Sequence, residues 1–226
     1  MARIKLCNLV EARDVFEGFT ELELDEDYPV GFSLDEFKNL WSYAKKLKYA
    51  QEHLGKPIGR GSARVVYRVD NDKVLKLAKN EKGAAQNEAE IDWAYDSYFD
   101  HLLANIFDHD KEKHLWVEME LATRAKGSDF KRLWGVDLDD LSMYLSNFHS
   151  QNNGRGTIYG QDPELKDKLD NNEEVMSILD FMMNSDSAPG DLTKPNSWGL
   201  VKREGYETLV LIDFGLTNSV YQSYYS

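Results

Sequence analysis

Two aspartates, Asp191 and Asp213, lie 22 residues apart at either end of a strand–turn–strand pattern. Asp191 opens a D-x-x-x-x-N run that closes at Asn196, and Asp213 opens an Asp-Phe-Gly triplet after the apolar run Leu209–Ile212. Between them Gly199–Lys202 and Thr208–Ile212 read as the two strands of a hairpin, with Arg203–Glu207 as its turn. Alone, D-x-x-x-x-N is a capped turn, because Asp, Pro and Asn all form turns. Alone, Asp213 is a strand-ending aspartate before glycine. The patterned interval that joins them is what sets the pair apart.

Upstream, Gly59-Arg60-Gly61-Ser62-Ala63-Arg64 is a glycine-rich turn between two strands rather than between a strand and a helix. That context, and the absence of G-x-x-x-x-G-K-[ST], rule out a Walker-A or Rossmann loop. Asp70-Asn71-Asp72 makes a tight turn into a third strand, Lys73–Ala78. Within it Lys76 is flanked by Val74, Leu75 and Leu77, so its ammonium needs an anionic partner unless it sits on a solvated edge. Glu88 and Glu90 follow on a helical pattern over 84–104, whose one face carries Ile91, Ala94, Tyr98 and Leu102. Asn105–Asp108 and Leu115–Leu121 are two further strands, and helical patterns return over 137–149 and 173–184.

In this order, the glycine turn, the strand lysine, D-x-x-x-x-N and Asp-Phe-Gly resemble the protein-kinase-like superfamily over about residues 56–217. The resemblance implies an α+β, two-lobed kinase-like fold. Residues 56–122 would form a small antiparallel-sheet lobe and 123–226 a reduced, mostly helical lobe, with 1–55 as an N-terminal extension carrying one extra helix. It implies ATP beneath Gly59, Gly61, Ser62, Ala63 and Val66, with Lys76 turned toward the α- and β-phosphates. Glu88 is the preferred partner of Lys76, since Asn87-Glu-Ala-x-Ile resembles the superfamily's helix pattern. Met119 would be the gatekeeper, backbone groups of Glu120 and Ala122 would read adenine, and Trp198 would lie beneath it. Asp191 would accept the proton of an acceptor hydroxyl, Lys194 would steady the γ-phosphate, and Asn196 and Asp213 would hold magnesium.

Several departures narrow the resemblance. Pro189-Gly190-Asp191 replaces His-Arg-Asp and is closer to the small-molecule and antibiotic phosphotransferase branch. Without that arginine, activation by a phosphorylated loop is not implied. Arg64 replaces the loop's third glycine and either stiffens it or brings a positive charge to the phosphates. Only eleven residues follow Gly215, with no A-P-E element. The expectation is a minimal kinase-like phosphotransferase of bacteriophage or bacterial type, acting on a hydroxyl acceptor, protein Ser/Thr included. The alternative is a nucleotide-binding or interaction module that keeps the fold without the transfer.

Composition trims the remaining classes. A net charge of −13 argues against a nucleic-acid partner, which needs clustered Lys and Arg. No apolar run approaches the roughly 18 residues of a membrane span. The single cysteine, Cys7, excludes an internal disulfide and a cysteine-based zinc site. With no secretory pattern at the N-terminus, the cytoplasm is the expected address. The acidic lead-in containing ELELDED reads as weakly structured. Ser33 and Glu36 then read as a capping box opening one amphipathic helix to about His53, with Phe37, Leu40, Trp41, Ala44 and Leu47 at helical spacing. Tyr221, Tyr224 and Tyr225 read either as a sticky tail or as packing of the C-terminus onto the larger lobe.

Overall fold

The structure is a computed structural model that describes residues 28–157, 160 and 162–225. ELELDED and Cys7 lie outside the described residues. The chain is α+β, built on an antiparallel sheet of five strands with several helices. These strands are β1 (Gly59–Arg60), β2 (Arg64–Arg68), β3 (Lys73–Ala78), β4 (Ile106–His109) and β5 (Trp116–Glu120), in the order β1-β2-β3-β5-β4. Register pairs Val66 with Lys76 and Lys76 with Val117. Because side chains alternate along a strand, Val65, Tyr67, Leu75, Leu77 and Trp116 share one face, while Val74, Val117 and Met119 join the core on the other.

The first face is covered by α1 (Leu34–Lys38) and α2 (Tyr43–His53), two helices where the sequence reads as one. The break is held by Lys46, whose buried ammonium donates to the carbonyls of Phe37 (2.7 Å) and Lys38 (3.2 Å) at the end of α1. Ser42 restarts the helix by accepting from the Lys45 N–H. Of the expected capping box, only the Ser33 hydroxyl bond to the Glu36 N–H forms. The Tyr49 hydroxyl takes up the rest, accepting from the Ser33 N–H and donating to the Glu36 carboxylate. Trp41 and Ala44 point to solvent rather than to the core, and the Lys45 ammonium lies 4.9 Å from the Trp41 ring.

On the other face lies α3 (Glu81–Ala94), shorter than the expected 84–104. Asp96 caps a 3-10 turn at Ser97–Phe99, which rotates Tyr98 into solvent and Phe99 into the core beside Phe181. Helices α4 (Gly127–Trp134), α5 (Leu138–Asn152), α6 (Pro163–Asp170), α7 (Glu173–Ser185) and the short α8 (Pro189–Leu192) build the rest of this core. A second antiparallel sheet joins β6 (Thr123–Arg124), β7 (Trp198–Arg203) and β8 (Tyr206–Leu211). The β7–β8 turn is only Glu204-Gly205, both at positive φ, the geometry that matches strand twist in a two-residue hairpin.

The end of β8 is tied back to the segment after α3, since Leu211 donates to Leu102 O and accepts from the Ala104 N–H. The closing helix α9 (Asn218–Tyr224) packs on α3, where Gln86 donates to the Tyr225 hydroxyl and Lys82 lies over the Tyr225 ring.

Candidate active site

A cavity of about 770 Å³ opens between the glycine turn, β3, the end of β5, α8 and the end of β8. Its wall gathers Gly59, Gly61, Ser62, Ala63, Val66, Lys76, Met119, Glu120, Ala122, Asp191, Lys194, Asn196 and Asp213. These side chains are spread over more than half the chain, and the register of β1–β3 together with the β7–β8 hairpin brings them to one cleft.

The glycine turn is closed by the Gly61 N–H on Arg64 O (2.9 Å), and Lys79 donates to Gly61 O. Behind it, α3 comes very near: a Cβ on Gly83 would stand 2.3 Å from Ala63 O, and one on Gly215 would stand 2.2 Å from Gln86 O. Only residues without a Cβ permit this backbone-to-backbone contact.

The floor of the cleft is a buried charge cluster. Lys76 donates to both carboxylate oxygens of Glu90 (3.0 and 2.9 Å) and to Ile212 O (2.5 Å). Arg64 adds a second cation: its Nη1 meets Glu90 at 2.9 Å and its Nη2 meets Asp213 Oδ1 at 2.5 Å. The Phe214 N–H also donates to Glu90. Burial presses the Lys76 ammonium below its ordinary value, Glu90 pulls it back up, and Arg64 adds to the depression. Burial also opposes the charge on Arg64, but Glu90 and Asp213 outweigh it and hold that guanidinium above its ordinary value.

The opposite wall is wetter. Asp191 sits in the first turn of α8 and pairs with Lys194 at 2.5 Å. Asn196, on the following 3-10 turn, accepts through its side-chain oxygen from Arg124 Nη2. Lys194, Asn196 and Asp213 are exposed toward solvent, whereas Glu90 is fully buried.

Two expected residues lie elsewhere. Glu88 is not the partner of Lys76: it is exposed on the far side of α3, 3.8 Å from His114. Glu90 takes its place because it stands on the buried face of α3 with Gln86 and Asn87, four and three residues before it. Trp198 does not lie under the cleft. Its indole is fully buried in the helical core, donating to Leu192 O (2.7 Å) and packing edge-on against Phe130 and Trp134. Neighbouring Ser197 and Ile212 line the cavity instead. The sequence reading also passes over Arg124, which lines the cavity from the two-residue strand β6. Its signal is faint, one basic residue after the Met119–Ala122 segment.

No protein-family model and no curated protein matches the chain. Among solved structures it is similar to the GDP and kanamycin complex of the aminoglycoside phosphotransferase APH(2'')-IIIa, at 13% identity and a TM-score of 0.35. The match covers 71% of this chain and 66% of that one, so the chain spans just under two thirds of that protein's length. No helix among the described residues is long and apolar enough to cross a membrane.

Proposed function

We propose that the chain is a kinase-like phosphotransferase that binds a nucleoside triphosphate, ATP in the first instance, and passes its γ-phosphoryl group to a hydroxyl acceptor. The observation that carries this is convergence. A glycine turn, a buried lysine clamped by a carboxylate, and two carboxylates from separate segments, Asp191 of α8 and Asp213 after β8, line one cleft. In this reading residues 56–122 and 123–226 act as two lobes around the cleft, and the N-terminal extension braces the first.

The base would lie between Val66 and Met119, read by backbone groups of Glu120 and Ala122. The Glu120 side chain is engaged elsewhere, pairing with Arg203 at 2.5 Å, which leaves recognition there to the main chain. Glu90 orients Lys76 toward the α- and β-phosphates, and Lys194 reaches the γ-phosphate. The acceptor oxygen attacks the γ-phosphorus as its proton passes to Asp191. The bond from that phosphorus to the β,γ-bridging oxygen breaks, and the nucleoside diphosphate leaves.

Magnesium is the ion expected for such a cleft, with Asn196 and Asp213 as ligands. The donor set does not fit it as arranged. One oxygen of Asp213 and the side-chain oxygen of Asn196 each already accept from an arginine, and no group of three or more His, Cys, Asp or Glu among the described residues could hold a metal ion.

Asp191→Asn tests the assignment. Turnover, read as nucleoside diphosphate release, falls by about 10²–10⁴-fold, the usual worth of a positioned proton acceptor, while ATP affinity is unchanged. Undiminished turnover in that variant rejects the role. A second reading, a module that binds nucleotide without transferring phosphate, is favoured by the Arg64 contact on Asp213. It predicts no diphosphate release above background at saturating ATP.

A further inference from the structure

We infer that two arginines of this chain, Arg64 and Arg124, take the place of a divalent cation, so that the cleft binds the phosphates of its nucleotide without metal. The inference rests on the nucleotide-binding reading of the cleft and adds the identity of its counter-charge.

Charge balance comes first. Lys76, Glu90 and Asp213 alone would leave one uncompensated negative charge at the cleft floor, the usual demand for a cation. Arg64 removes that demand: two basic and two acidic groups stand within ion-pair contact of one another. Its position is built rather than incidental, because its side chain is only 8% exposed and bonds Glu90, Asn87 and Asp213. Three of the five guanidinium N–H groups are used in this way, leaving two for a phosphate.

Geometry comes second. The two side chains best suited to hold an ion each already accept from an arginine, Asp213 through Oδ1 from Arg64 and Asn196 from Arg124. The two arginines reach these oxygens from different sides of the cleft, one from the start of β2 and one from β6. A divalent ion would share Asp213 and Asn196 with two positively charged guanidinium groups, whereas a phosphate can add to them, since a guanidinium presents a planar fork that matches phosphate oxygens.

The surroundings agree. The cleft wall carries five basic side chains, Arg60, Arg64, Lys76, Arg124 and Lys194, against Glu120, Asp191 and Asp213, with Glu90 buried behind Arg64 and Lys76, in a chain whose net charge is −13. A small excess of positive charge on this wall of an acidic chain favours a polyphosphate.

The test is calorimetric titration of the full chain with ATP, once in EDTA and once in excess magnesium. The expected result is a dissociation constant in EDTA within about threefold of that in magnesium. Arg124→Gln weakens binding in EDTA about tenfold, the loss of one charge-assisted contact. Arg64→Gly, which restores the third loop glycine and frees Asp213, makes binding magnesium-dependent. Should Arg64→Gly fail to fold, the exposed Arg124 carries the test. Binding by the parent chain only in magnesium overturns the inference and leaves the nucleotide reading standing. Unaltered affinity of Arg124→Gln in EDTA overturns the arginine assignment. Absence of binding in both buffers overturns the nucleotide reading itself, and the inference with it.

Discussion

Lys76 and Glu118 sit on adjacent rungs of the same sheet, paired across β3 and β5 with Val117 and Leu75, and they face opposite sides. Both are almost wholly buried. Lys76 has a full set of partners, a carboxylate gripped at both oxygens and a carbonyl. Glu118 has the Tyr28 hydroxyl at 2.5 Å and, at 3.9 Å, the Lys73 ammonium. Burial therefore lifts the Glu118 carboxyl above its ordinary value of 4.5, and those two neighbours only partly restore it. On the Lys76 face a charge is retained by a network that also forms the cleft floor. On the Glu118 face the charge lies beneath an aromatic cluster of Phe32, Phe37, Tyr49 and Trp116, and packing does the holding. One face is organised for charge and the other for cohesion.

The largest expected blow to that contrast is Glu90→Ala. It strands two buried cations, Lys76 and Arg64, and should cost about 5 kcal/mol, the upper end for a broken buried pair. Chemical denaturation measures it, and a loss below about 1 kcal/mol would mean that the network does not hold the floor. Phe37→Ala strikes the other face and should cost about 3–4 kcal/mol with the cleft chemistry intact. Equal loss of ATP affinity in that variant would show the two faces to be inseparable.

Glu118→Gln should stabilise the chain, and in a pH-dependent way. Below about pH 4.5 the carboxyl is protonated in folded and unfolded chains alike. As the pH climbs above that value the unfolded chain gives up its proton first, so the parent chain loses stability through the window up to the raised folded value. Glutamine has no such loss. Its advantage in Tm should be absent near pH 4 and present at pH 7, and a constant difference across the range would break the comparison. Smallest of all is Asp191→Asn in unfolding free energy: the exposed pair with Lys194 is worth less than about 0.5 kcal/mol, so activity and stability should separate at that residue.

How much of this was open to the sequence depends on the kind of information each residue needed. Order along the chain was enough to gather the glycine turn, Lys76, Asp191, Asn196 and Asp213, because short hairpins deliver such residues to predictable places. Facing was harder. Glu88 and Glu90 differ by two residues, roughly 200° around a helix, and the local pattern favoured the wrong one. Trp198 fails for the corresponding reason on a strand, where one step reverses the side chain. The break between α1 and α2 depends on Lys46 reaching back to α1 carbonyls, a contact that no periodicity encodes. The same holds for Arg64, whose three partners come from α3 and from the end of the β7–β8 hairpin.

The two missing Cβ atoms at Gly83 and Gly215 have a mechanical consequence. Within a single turn, α3 lies flush against Ala63 at Gly83 and against Gly215 at Gln86. Rolling the helix about its own axis would swing Glu90 away from Lys76, but it would also drive main chain into main chain at both seats. α3 thus works as a keyed shaft with one angular setting. Whatever breathing the cleft performs must carry the glycine turn, α3 and the Asp213 segment along as one piece.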